Sequence, residues 1–218
     1  MTDVVLSADK LSWSAPVQHG SEWDKSKTML KVREAILSRD GYTCQGCGFK
    51  ANKFQEIHHK NGDHSDFRKS NLETLCPLCH QVFHPAMASM SSSAFMIWLP
   101  ELTQKNLNRL LFSVFSAIKK GPEHPLHSVA KAVWGILEMR KVYLENQLGK
   151  SDPGIYGQML LHMSDSEYQE RSASMSAIKM LANPARFETE IDYWAELLEK
   201  EKSLDAISEE LRNLSKNS

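Results

Sequence analysis

All four cysteines of the chain fall into two Cys-x2-Cys pairs, Cys44/Cys47 and Cys76/Cys79, and this pattern constrains the fold more than any other feature. Each pair can grip one cation from a single turn, and 28 residues separate the pairs. The spacing therefore fits a closed, structural zinc site of four thiolates. Four reduced buried thiols, or two thioredoxin-like redox pairs, are the other arrangements open to these residues. The pattern is not a disulfide framework. Within Gly41 to Phe49, Gly46 and Gly48 sit beside Cys47, where backbone amides must turn back toward sulfur, so this stretch reads as a zinc knuckle.

Charge narrows the function classes. The 26 Lys+Arg are matched by 27 Asp+Glu for a net charge of −1, too little positive field to coat nucleic acid by counterion release. Residues 28–84 hold only eight basic against six acidic side chains, so a nucleic-acid role would have to come from a local site. The longest apolar run, Ala94 to Leu99, is far too short to cross a bilayer. The opening MTDVVLSADK has no secretory pattern, so a cytoplasmic chain is expected.

Along the chain, residues 4–17 alternate weakly and predict a short hairpin or two extended segments. Met29, Val32, Ile36 and Leu37 predict a helix from about Trp23 to Ser38, broken by Arg39-Asp40-Gly41-Tyr42. Phe54 to His59 reads as extended, Lys60 to Ser70 as a polar loop, and the stretch from Asn71 carries the second Cys pair. His80 and His84, four apart, share one face of a short helix. Five of the nine histidines lie between residues 58 and 84, clustered beside the knuckle; among them His64 reads as a loop residue.

Pro85 to Ser93 reads as a linker or loop, and Ala94 to Leu99 as a short strand. Beyond it the pattern is helical. Thr103 to Lys119 carries a stripe of Leu107, Leu110, Leu111, Val114, Phe115 and Ile118. Leu126 to Gln147 is a second helix with Gly149 as its stop, and Ser164 to Leu181 a third, opened by the capping box Ser164-x-x-Glu167. From Ala185 to about Leu214 a long helical stretch follows, broken near Lys202; from Phe187 onward it holds nine acids against four bases. Such a helix suits a protein partner or basic groove better than DNA, or is simply a solvated outer face over its core stripe.

Cys44-x2-Cys47, Glu56-Ile57-His58-His59, Asn71-Leu72 and Leu75-Cys76-x2-Cys79-His80 together resemble the HNH (ββα-metal) nuclease motif in its form stapled by four cysteines. That resemblance implies His59 as the general base, His58 and His80 as ligands of a catalytic divalent ion such as Mg2+, and Asn71 as a loop-fixing or metal-site residue. His84 would be a further ligand. Each has a plainer reading: Asn71 as the N-cap of the short helix, His84 as a partner of the helix C-terminus.

A second resemblance covers residues 28–200. Trp98-Leu99-Pro100-Glu101-Leu102-Thr103-Gln104, the Leu-rich helix behind it, and Ser151-Asp152-Pro153-Gly154-Ile155-Tyr156-Gly157-Gln158 are similar to the IcmJ (DotN) family of type IVB secretion systems. The order of parts agrees: an arm, a Tyr-Thr-Cys-Gln-x-Cys-Gly-Phe knuckle, a second Cys pair, then helices. The resemblance implies a cytoplasmic subunit of the coupling complex, held at the inner membrane through its partners. There its zinc-bound HNH-like module is a scaffold for recruiting substrates to a coupling ATPase. Family members often lack the catalytic histidines, whereas His58, His59, Asn71 and His80 are all present here.

The expectation is thus an α+β, mainly α chain: an extended arm over 1–27, a zinc-stapled HNH-like ββα module over 28–90, and a helical domain over 91–218. Zinc belongs on Cys44, Cys47, Cys76 and Cys79; a second divalent ion on His58, His80 and His84 belongs to the nuclease reading. The secretion subunit, binding an extended tail of the coupling ATPase and other coupling-complex subunits, ranks ahead of an HNH DNA endonuclease using His59 and Asn71. Whether the chain is an enzyme stays open between the two.

Overall fold

Two short antiparallel ribbons and eight helices make up residues 4–8 and 27–200, the part of the chain described by the computed structural model. The order is α1 (Lys27–Arg39), β1 (Glu56–His59), β2 (Leu72–Leu75), α2 (Pro77–His80), a 3₁₀ turn (Gln81–Phe83), α3 (Pro85–Met90) and β3 (Ala94–Trp98). Then come α4 (Gln104–Lys119), α5 (His127–Leu148), α6 (Pro153–His162), α7 (Asp165–Ser174), β4 (Ile178–Ala182), a 3₁₀ turn (Pro184–Arg186) and α8 (Glu188–Lys200). The class is α+β and mainly helical.

Strands β1 and β2 pair from Glu56↔Leu75 to His59↔Leu72 and lead directly into α2. The loop that joins them is pinned by Asn71, whose Oδ1 accepts the Asn61 N–H (3.1 Å) while its Nδ2 donates to the Asp66 carbonyl (3.0 Å). Asn71 therefore ties down the loop and does not cap α2. The cap is Cys76, with Pro77 at the first helical position, where its missing N–H costs nothing.

The core is organised on α4. Thr103 caps it by accepting the Asn106 N–H (3.2 Å), and Leu107, Leu111 and Val114 are fully buried. Burial of each such side chain stabilises by ~1.5–3 kcal/mol. Phe49 of the knuckle stacks on Phe112 of α4 at 3.7 Å between ring centroids, and Trp194 of α8 meets Phe112 edge-on at 4.6 Å. Buried residues of the knuckle, of residues 4–8 and of the helices form one continuous cluster.

The structure revises several expected elements. Pro85 to Ser93 is not a linker: α3 forms there, starting at Pro85, and packs against α6 with Ala88 buried. The helix opened by Ser164 has its capping box but ends at Ser174, and Ile178–Ala182 is a strand paired with β3 from Trp98↔Ile178 to Ala94↔Ala182. Ladder pairing and burial of Met180, Leu181 and Ala182 outweigh the local helical pattern. The sequence pattern does not predict helix α6, because Gly154 and Gly157 weaken its helical signal; Asp152 caps it through the Gly154 N–H (2.7 Å). Helix α8 starts at Glu188, three residues later than expected, after the Pro184–Arg186 turn. The expected break near Lys202, the start of the first helix before Lys27 and residues 9–17 of the expected hairpin lie outside the described residues; residues 4–8 join no strand.

Candidate metal centre

The two Cys-x2-Cys turns meet in the interior. Cys44 and Cys47 come from the knuckle after α1, Cys76 and Cys79 from the entry and third residue of α2, and all four are essentially without solvent contact. Within each pair the first sulfur accepts the backbone N–H of the second cysteine: Cys47 N to Cys44 Sγ and Cys79 N to Cys76 Sγ, both 3.4 Å. The four sulfurs lie within 4.8 Å of one another, and Cys47 Sγ and Cys76 Sγ are 3.7 Å apart. A tetrahedron with metal–sulfur bonds of ~2.3 Å has edges of ~3.8 Å. Four thiols buried this closely are otherwise costly. Cys44, accepting from the other three, is held well below the ordinary thiol range. Burial pushes Cys76 up, and the neighbouring Cys44 sulfur pushes Cys79 up. A soft divalent cation would let all four ionise, so the donor set fits one.

Gly46 is required by this geometry. A Cβ at that position would lie 2.6 Å from Val4 Cγ2 and 3.2 Å from Cys79 Sγ.

A second group is built from β1, the end of α2 and the turn that follows it. His58, His80 and His84 each bring one ring nitrogen within 4.8 Å of the others. His80 Nδ1 meets Glu56 Oε2 at 2.5 Å, and its Nε2 faces His84 Nε2 at 3.1 Å. The carboxylate assigns the Nδ1 proton of His80 and turns the Nε2 lone pair inward, the arrangement that orients histidine ligands in metal sites. His58 packs on Phe83, its Nδ1 buried with no hydrogen-bond partner among the described residues. Burial, then the charges of neighbouring His80 and His59, lower His58 to about 3, so at neutral pH its ring is an available electron-pair donor.

His59, next on β1 and so directed to the opposite face, stacks on His64 (4.9 Å between centroids) and meets Phe67. Burial, then the charge of His64, lowers it to about 4. His64 also approaches His84 at 5.9 Å. The expected His80/His84 face is built differently from a single helix, since α2 ends at His80 and a 3₁₀ turn carries the chain to His84. Three residues of these sites lacked an assigned role in the sequence. His64 lies in the β1–β2 loop, as its sequence context predicts, and its part in the histidine group is signalled only by the clustering. Glu56, two before His58, shares its strand face by the period of two. Asn108, whose amide reaches Cys79 Sγ at 3.3 Å, sits four residues after Gln104 on the buried stripe of α4.

Fold and site together define the class: a mainly helical protein built around a buried four-cysteine knuckle able to hold a metal ion. No family model matches the chain. Over 166 residues, 74% of this chain and 77% of the relative, it is 34% identical to the type 4 apparatus protein DotN of Legionella pneumophila. The chain belongs to the DotN (IcmJ) family. No helix among the described residues is long and apolar enough to cross a membrane.

Proposed function

We propose that this protein is a cytoplasmic subunit of a type IV secretion coupling complex, in which zinc on Cys44, Cys47, Cys76 and Cys79 holds an HNH-like ββα module as a rigid scaffold. The helical half then docks on an extended tail of the coupling ATPase at the inner membrane. The observation that carries this reading is the 34% identity, spread over three quarters of both chains, to a type 4 apparatus protein. The surface of α5 supports it. The helix buries Ala130, Leu137 and Leu144, seven apart, while Val129, Ile136 and Tyr143, also seven apart, are roughly half exposed beside Met139 and Val142. At 3.6 residues per turn the arc from Val142 through Met139 to Val129 contains no charged side chain. A solvated helix face would carry charge there; an uncharged face with these five apolar side chains exposed suits a partner segment.

Affinity capture of the full chain from its native host tests this. The wild type is expected to bring down a coupling ATPase, and Ile136→Glu/Met139→Glu to lose it while keeping its zinc and melting curve. Recovery of nucleic acid without any ATPase refutes the reading.

The endonuclease alternative has one observation in its favour, the His58/His80/His84 group with His59 close by, and the family assignment does not favour it. Under that reading a divalent ion held by the three imidazoles would stabilise the leaving oxygen while His59 took a proton from water. Metal-dependent nicking of plasmid DNA that disappears in His59→Ala, with zinc content intact, would establish it. Absence of nicking in the wild type rejects it.

A further inference from the structure

Two carboxamides, Gln104 and Asn108, are buried in the apolar stripe of α4, at 7% and 1% exposure. Their hydrogen bonds leave no freedom of orientation. Gln104 clamps strand β4, its Oε1 accepting the Met180 N–H (2.8 Å) and its Nε2 donating to the Met180 carbonyl (2.8 Å). The remaining Nε2 hydrogen goes to Asn108 Oδ1 (2.9 Å). Asn108 must then present its NH2 to the other side, where it donates to the Leu78 carbonyl (3.0 Å) and to Cys79 Sγ (3.3 Å). A flipped Asn108 would set oxygen against the Leu78 oxygen and nitrogen against nitrogen, so the network itself assigns the amide.

We propose that Asn108 is a positioning residue of the four-cysteine metal centre: its N–H bond holds Cys79 as a thiolate donor in a fixed orientation, and through Gln104 it ties the centre to strand β4. The proposal rests on the metal reading of the four cysteines. A charged sulfur accepts an N–H more strongly than a neutral one, so an amide aimed at Cys79 matches a metal-bound thiolate better than a neutral thiol. The bond withdraws electron density from that sulfur and shields it, the role outer-shell donors play around metal ligands. The relay also explains why polar side chains occupy these positions at all. Apolar residues there would fill the stripe but leave the Met180 amide, the Leu78 carbonyl and Cys79 Sγ without these partners.

The test uses full-length protein loaded with Co2+, whose thiolate-to-metal charge-transfer band reports the electron density on sulfur. Asn108→Leu is expected to move the band to lower energy and to speed metal release to excess chelator by about 10-fold or more, the usual scale for loss of an outer-shell partner. Gln104→Met keeps the Asn108 amide but frees it to rotate. It is expected to shift the band in the same direction by less, and it decides the matter if Asn108→Leu does not fold. Variants that load one equivalent with the wild-type spectrum and release rate overturn the proposal, because an amide that merely fills the core would leave the sulfur's spectrum unmoved. A wild type that takes up no Co2+ or Zn2+ overturns the metal reading itself and the proposal with it.

Discussion

Gly46→Ala should destabilise the protein through a contact that involves both the cysteine knuckle and the segment of residues 4–8. The added methyl would sit 2.6 Å from Val4 Cγ2, inside any tolerable contact, and 3.2 Å from Cys79 Sγ, close but tolerable after a small shift. The backbone at Gly46 is not in the left-handed region, so the cost is steric and not conformational. Overpacking of this kind costs ~1–3 kcal/mol. For a chain of this size, with each kcal/mol worth ~2–4 °C, the melting temperature should fall by about 2–12 °C. Val4→Ala alone removes two buried methyl groups, ~1.5–2 kcal/mol at ~0.8 kcal/mol per group. It also removes the atom that the new methyl strikes. The double variant should therefore be little worse than Val4→Ala, giving a coupling of ~1 kcal/mol or more in a double-mutant cycle measured by guanidinium and thermal unfolding of zinc-loaded protein. Additivity to within ~0.5 kcal/mol would mean that Val4 does not rest on Gly46, and would refute the seating of residues 4–8 on the knuckle.

Cys76→Ser should bind less than half an equivalent of zinc and lose the cooperative melting of the knuckle and β1–β2, because metal-binding free energy in such a site is folding free energy; an unchanged melting curve would contradict a structural metal. Lys179, 5% exposed on β4, bonds the Ser176 carbonyl, and burial lowers its pKa against the opposing pull of Glu101. The unfolded chain thus holds that proton more tightly than the folded one. Lys179→Met should be more stable than wild type at neutral pH, with the gap closing as pH rises toward the ordinary lysine value of 10.5. A gap that widens with pH would show that Lys179 is paired and not penalised.

What could be read from the sequence, and what could not, divides along a physical line. The Cys pairs were legible because each supplies its ligands from one turn, so spacing alone carries the geometry. The α4 stripe was legible because its period of 3.6 is written into consecutive residues, and the capping box Ser164-x-x-Glu167 acts over three residues. Strand β4 was not, because what makes Ile178–Ala182 extended is β3, far back in the chain, and no local pattern records that partner. The same limit hid the surroundings of the four cysteines. The polar pair Gln104 and Asn108 shows up in an apolar stripe as an anomaly, but only tertiary contact reveals that one end of the relay is a strand and the other a sulfur. Residues that converge through their own turn are found by spacing. Those that contact them from elsewhere come from wherever the core brings them, and a buried amide on an otherwise oily helix face is the trace they leave.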